Sequence, residues 1–417
     1  MITSARLTFG QLAIVRDVED VPRQRWYEPN LSAVWDLPAG TTMAAVRGAL
    51  GVLVRRHESL RTTYDLAGAG GPEQLLHPPE EPVVRVERTT DPRIDPRTVL
   101  RELSRQAFSL VREPPWRATV VTSGTEPAHL VLVSHHVVAD GHALTVLERD
   151  FFTALAGTVD GTATGPGVIL AHERSPAGLR RGEAALAYWT KTVAEMPPPP
   201  VAGEPPYVQA TLVSATLPAA ARQVAARLRA SVPNVVLAAF CTALLGLTDD
   251  DRLAVRLLSS NRFDPYRRDI VTSMNQWVPI LVDRSPQSDP ARLVREIGKR
   301  AMVAYAHGVY DVDEVFRLLD DAGYRPGQYD SLWSFNFVSH RPREPVSPAV
   351  SAASTAPEDE PIHWAAPFSS VGPRCYLRAI EGADLRLELR VPINRSELAA
   401  ELIRRMRLFL VEAGRAG

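Results

Sequence analysis

Cysteine is nearly missing from these 417 residues: there are two, Cys241 and Cys375, far apart and with no metal-binding or redox spacing. That scarcity excludes a disulfide framework, a cysteine-built zinc site and a C-x-x-C redox centre. Lysine is equally scarce, at Lys191 and Lys299 only, so the 47 basic residues are nearly all arginine. Against 48 acidic residues they leave a formal net charge of −1, with no surplus to attract nucleic acid or an anionic membrane. No apolar run approaches the roughly 18–20 residues of a membrane span. The most apolar stretch, 235–247, is too short and reads as a buried helix with Cys241 as a small core residue. The opening Met1-Ile-Thr-Ser-Ala-Arg-Leu7 lacks the basic start and apolar core of a signal peptide. The expectation is a cytoplasmic, reduced protein without metal, membrane or nucleic acid as partner.

What is present is ordinary for a globular chain: 45% hydrophobic and 23% charged residues, enough for two domains of roughly 150–200 residues. Met43, Val46, Leu50 and Leu53 fall on one face of a helix that opens after Thr41 and Thr42, residues suited to capping it. A strand at 82–87, a helix over 96–110 and a strand over 116–122 follow. The run 129–133 is apolar almost throughout, as suits a strand buried on both faces. A helix over 141–155 turns Leu144, Leu147 and Phe151 inward, and Gly/Thr-rich 157–167 reads as loop. A helix over 184–195 stops at four prolines, 197–200. The second half reads as a strand (208–217), helices (219–230 and from 234) and a strand (253–258), then a loop to 274. Beyond it come a helix (290–306), a strand (331–338), a Pro/Ser/Ala-rich crossover (341–361), strands (375–380 and 385–391) and a last helix from 396. A division near 175 gives two halves, 1–175 and 176–417, each mixing helices and strands. Layered α/β units with a cleft between them are expected.

His135-His136-Val-Val-Ala-Asp140-Gly141 stands at a strand-to-helix junction, where side chains collect at the carboxyl edge of a sheet. A histidine with the ordinary pKa of about 6.5 is roughly three quarters neutral at pH 7 and can take a proton. Asp140 can cap the helix while its carboxylate pairs with an arginine. Gly141 admits close backbone approach and offers an N–H at the positive helix end, suited to a developing oxyanion. Taken by spacing alone, the same residues could be two satisfied polar side chains and a plain N-cap. A metal site from His136, Asp140 and His142 is disfavoured, because adjacent histidines face apart.

The same residues carry a resemblance. His135 to Gly141 matches in full the HHxxxDG motif of the condensation domains of nonribosomal peptide synthetases. Arg56-His57-Glu58-Ser59-Leu60-Arg61-Thr62 matches in full that family's RHExLRT. Weaker echoes are Thr8-Phe-Gly-Gln11, Tyr188-Trp189 and the strand around Ser331-Leu-Trp-Ser334-Phe-Asn-Phe-Val338. The resemblance implies two chloramphenicol-acetyltransferase-like subdomains in a V-shaped pseudo-dimer with a tunnel between them. An acyl, aminoacyl or peptidyl group on a carrier-protein thioester would enter from one side and an amine or hydroxyl acceptor from the other. His136 would point into the tunnel, with His135 and Gly141 beside it in the catalytic set. Asp140 would make a structural salt bridge, with Arg56 the first candidate partner and Arg61 the second. Ser334 would line the tunnel. No tightly bound cofactor is implied: the phosphopantetheine arm, or CoA, is the substrate carrier, and the enzyme is expected to work as a monomer.

The chain departs from the family at 273–284, where Gly-x-Phe-Val-Asn-Thr is expected and Asn275, Trp277 and Pro279 stand in place of the glycine, phenylalanine and asparagine. Bulk there would reshape the tunnel wall at Asn275 and Trp277. The C-terminal RDxSRNPL motif is not recognisable. No adenylation or carrier domain is read, so carriers are expected to be met in trans by a free-standing enzyme. The alternatives are a non-catalytic docking module that recruits a tailoring enzyme and an acyl-CoA-dependent acyltransferase. Cyclisation domains replace both histidines with aspartates, and this chain keeps both.

Overall fold

Thr8 and Gln11 start the first helix by capping each other. The Thr8 N–H donates to Gln11 Oε1 at 2.9 Å and the Gln11 N–H to Thr8 Oγ1 at 3.3 Å. Gln11, fully buried, then donates from Nε2 to Gln74 Oε1, tying helix Phe9–Glu19 to the small antiparallel sheet Thr3–Arg6, Glu73–Leu76, Thr62–Asp65. Of these elements only strand Thr62–Asp65 shows in the sequence pattern, where the run after Arg61 turns β-like; the helix and the other two strands lack a clear hydrophobic alternation.

The computed structural model describes residues 2–19, 21–68, 70–80, 84–89, 95–158, 164–198, 206–284, 290–324, 328–339 and 360–415. Positions 341–359 of the expected crossover, 159–163 of the expected loop and 199–200 of the proline run lie outside the described residues.

Two units cluster by contact: Met1–Glu183 with Ser260–Gln276, and Ala184–Ser259 with Trp277–Gly417. The partition therefore differs from a single cut near 175, since 260–276 groups with the N-terminal residues.

In the first unit a four-stranded sheet runs Asn30–Asp36, Glu126–His135, Trp116–Ser123, Val84–Thr89, antiparallel except for its last pair. Leu130 to Val133 are buried in its centre, as a continuous apolar run requires. The strand extends two residues past the expected end, because the His135 N–H still finds the Pro115 carbonyl at 2.8 Å. Helix Gly141–Leu155 follows with Asp140 as N-cap, its side chain accepting from the Ala143 N–H at 2.8 Å. Helix Met43–Arg56 is capped by Thr42 and packs against it. The helix expected over 96–110 ends at Ser104, and the chain opens out so that the Leu110 carbonyl accepts from the Tyr64 N–H at 2.7 Å.

The second unit has a seven-stranded sheet in the order Gln276–Asp283, Arg252–Ser259, Trp333–Ser339, Cys375–Glu381, Leu385–Pro392, Tyr207–Ser214, His363–Trp364. Pro279 sits in the first of these, an edge strand where a missing N–H is tolerated. Helices Leu217–Leu228, Val232–Leu245, Pro290–Ala306 and Ser396–Arg415 contribute to one continuous apolar core with the sheet. Cys241 is fully buried in that core, and no single described helix is long and apolar enough to cross a membrane. Arg256, Ser334, Tyr376 and Arg390 face one another in register across adjacent strands.

Candidate active site

Asp140 is where the junction is locked. Its carboxylate is fully buried and accepts four hydrogen bonds from three donors: the Ala143 N–H, the Met274 N–H at 3.1 Å, and Arg262 Nη2 at 2.9 Å to each oxygen. Arg262, itself 6% exposed, also donates to the carbonyls of Arg267 and Ile270 at 2.8 Å and Thr272 at 3.0 Å. One guanidinium thus shapes the whole turn 267–274 and fastens it beneath the helix start. Asn261 helps by standing in the left-handed region at φ 52°, which an asparagine tolerates, and donating to the Met274 carbonyl at 2.9 Å.

The partner expected for Asp140 is therefore corrected. Arg56 donates from Nε to Asp150 Oδ2 at 2.8 Å, and Arg61 donates to the His77 carbonyl at 2.5 Å. The reason is helical register: Arg56 ends its helix beside Asp150, ten residues beyond Asp140 along the neighbouring helix. Asp150 also takes His57 at 3.0 Å and Arg149 at 2.8 Å. Burial raises its pKa, but the hydrogen bonds from His57, Arg149 and Arg56 outweigh that and hold the carboxyl well below the usual range. Ser59, fully buried, donates to the Val271 carbonyl at 2.5 Å. The RHExLRT residues thus brace helices and the 260–276 segment.

The two adjacent histidines face apart. His135 is 1% exposed, its Nδ1 accepting from the Val137 N–H at 3.2 Å. Burial, with His136 next to it, pushes its pKa down to about 3. A ring sealed from solvent cannot touch substrate, so His135 leaves the catalytic set and becomes a packing residue beside His136. His136 is half-buried, its Nδ1 3.2 Å from Ser273 Oγ, and its Nε2 has no protein partner among the described residues. Burial lowers the His136 pKa, against the Asp140 charge and a hydrogen bond to its own backbone, which raise it. Gly141 is exposed at the first helical position, and a Cβ built on it would meet nothing within 4 Å.

The three expected tunnel residues divide between the two units. Asn275, half-buried, belongs to the first unit; Trp277 and Ser334 belong to the second. Ser334 is fully buried, accepting from Arg256 Nε at 3.0 Å and donating to the Leu332 carbonyl at 3.2 Å, so its hydroxyl is consumed inside the sheet. Trp277 covers the Arg256 guanidinium at 5.2 Å and meets the Tyr376 ring edge-on at 5.7 Å. Its bulk supports a buried cation.

Two functional positions escaped the sequence reading, Arg262 and Ser273. No local pattern marks Arg262, which stands three residues beyond strand Arg252–Ser259. Burial pushes the Cys241 thiol up to about 12 and raises Cys375, so neither supplies a thiolate. Among the described residues no group of three or more His, Cys, Asp or Glu could hold a metal ion.

A family model described as "Condensation domain" matches residues 23–339. The N-(5-amino-5-carboxypentanoyl)-L-cysteinyl-D-valine synthase of Amycolatopsis lactamdurans is 29% identical over 304 residues, which are 70% of this chain and 8% of that protein. The chain thus spans less than a tenth of that relative's length. Among solved structures, one on condensation domain-mediated chain release from the enacyloxin polyketide synthase is similar at a TM-score of 0.78 and 21% identity, covering 99% of this chain and 83% of that one. The SgcC5 protein of Streptomyces globisporus is similar at a TM-score of 0.74 and 19% identity, with 99% of both chains covered. The fold is that of these solved structures, and the family-model match over most of its length makes this chain a member of the condensation domain family.

Proposed function

We propose that this chain transfers an acyl, aminoacyl or peptidyl group from a carrier-protein phosphopantetheine thioester to an amine or hydroxyl, with His136 as the proton-handling residue, in the cytoplasm and within nonribosomal peptide assembly. The observation that carries the reading is the contrast between the two histidines: one is sealed, the other half-buried with Nε2 unoccupied by protein.

The nucleophile adds to the thioester carbonyl and a C–N or C–O bond forms. The tetrahedral species collapses with loss of the C–S bond, and the pantetheine thiolate leaves. The proton released by the nucleophile passes to His136 Nε2 and from there to the departing sulfur. Burial keeps this imidazole neutral at pH 7, which suits both steps. An amine with a pKa of about 7.7–8.0 is already neutral in roughly a tenth of molecules at pH 7, so positioning dominates for amines. A hydroxyl needs the base throughout. The exposed Gly141 N–H, with open space above it, is suited to the developing oxyanion.

The test presents the full chain with acyl groups loaded on a separately supplied carrier protein, or on CoA, and with amine or alcohol acceptors. Product is followed by mass spectrometry for wild type and His136→Ala. Transfer by wild type and a loss of about 100-fold or more in the variant support the role. Equal product from both removes His136 from it, and no product from any pairing favours a docking module.

A further inference from the structure

We propose that Ser273 is a positioning residue for His136: its buried hydroxyl accepts the Nδ1 proton and so leaves the Nε2 lone pair turned outward. The proposal rests on the reading of His136 given above and adds the device that prepares it.

Ser273 is fully buried, and its Oγ lies 3.2 Å from His136 Nδ1, that hydroxyl's hydrogen-bond partner among the described residues. The direction of the bond follows from the role assigned to Nε2. A neutral imidazole carries one proton, so a ring that accepts at Nε2 holds that proton on Nδ1, and a hydroxyl oxygen can accept it. Ser273 Oγ is then the acceptor, and Nε2 keeps its lone pair. Without the serine, Nδ1 loses that partner and little stops the ring turning.

What makes the serine a fixed reference is its neighbours. The Thr272 carbonyl accepts from Arg262, and the Met274 N–H donates to Asp140. Both peptide units flanking Ser273 are thus held by the two members of the buried ion pair. On the third side helix Phe9–Glu19 approaches so closely that a Cβ on Gly10 would lie 2.5 Å from the Ser273 carbonyl oxygen. The Asp140–Arg262 pair touches no reacting atom; beside the direct pull of the Asp140 charge on the ring, it holds the imidazole in place through Ser273. Among the described residues the ionisable groups whose charge acts on the ring are His135 and Asp140. Both precede or follow it on the same junction, and Ser273 supplies the contact from the other segment.

The experiment is ring-nitrogen NMR of the substrate-free full chain, combined with the pH dependence of acyl transfer, for wild type, Ser273→Ala and Ser273→Thr. In the wild type the Nδ1–H form is expected to dominate. Ser273→Ala should mix the two neutral forms, move the acid limb of kcat/KM, and lower kcat on the order of 10- to 100-fold with KM nearly unchanged, as for a misplaced group. Ser273→Thr, which keeps a hydroxyl, should restore most of both signals. An Nε2–H wild-type ring overturns the proposal even if no variant folds. So does a Ser273→Ala protein whose tautomer and acid limb match wild type, whatever its rate. If the tautomer responds while wild type transfers no acyl group, the positioning role stands and the catalytic reading above falls.

Discussion

Arg262 Nη2 lies 2.9 Å from both carboxylate oxygens of Asp140, 122 residues earlier in the chain. With side chains 3% and 0% exposed, the two charges are removed from water together. Removing either partner leaves the other bare, at a cost of about 3–5 kcal/mol. Arg262→Met and Asp140→Asn are each expected to lose that much in urea unfolding. The double variant should lose much less than the sum. Arg56→Ala combined with Asp140→Asn should instead add within about 0.5 kcal/mol, since Arg56 pairs with Asp150 and Asp140 with Arg262. Strong coupling of Arg56 to Asp140 would reverse the assignment.

Stability should fall on acidification through His135. Its folded pKa is about 3, against about 6.5 when unfolded. Between those values the unfolded chain binds a proton that the native one refuses. Unfolding free energy therefore drops by about 1.4 kcal/mol per pH unit from this residue as pH falls below 6.5. His57, also lowered by burial, steepens the decline. Denaturant melts of wild type and His135→Asn between pH 7 and 4 check it: the variant should show the shallower slope.

The rate profile should shift in the same sense. A His136 pKa lowered by burial leaves the imidazole neutral into mildly acidic solution. The acid limb of kcat/KM should then lie below pH 6.5 and vanish in His136→Ala. A limb at or above 6.5 would mean a ring better solvated than the structure has it.

Two glycines near the junction should behave oppositely. Gly10→Ala drives a methyl to within 2.5 Å of the Ser273 carbonyl oxygen and 2.6 Å of the Met274 Cα, both backbone, so the segment must move. It should cost about 1–3 kcal/mol and lower activity. Gly141→Ala meets nothing within 4 Å and should leave the melting temperature unchanged or slightly raised. Lost activity in that stable variant would assign the space above Gly141 to substrate.

The contrast between Asp140 and Arg262 explains what the sequence disclosed. Asp140 was legible as an N-cap because capping is local: the residue, the glycine after it and the apolar spacing of 144, 147 and 151 all lie within a dozen positions. Most strands and helices, including the buried strand ending at His135, were legible for the same reason. Arg262 was not, since an ion pair across 122 residues leaves no mark in either local pattern, and Arg56 offered a plausible charge nearer in the chain. Ser334 misled in a related way. Strand alternation gives its face, but not that Arg256 on the adjacent strand already engages its hydroxyl.

The grouping of Ser260–Gln276 with Met1–Glu183 bears on how the chain is made. A ribosome that has released the first 183 residues has synthesised Asp140 but not its counter-charge. The entire stretch Ala184–Ser259, including two long core helices of the other unit, must emerge first. Nascent first-unit chains therefore wait with an incomplete junction, and a polypeptide cut after Glu183 would leave a piece whose Asp140 regains its counter-charge only when the remainder is added back.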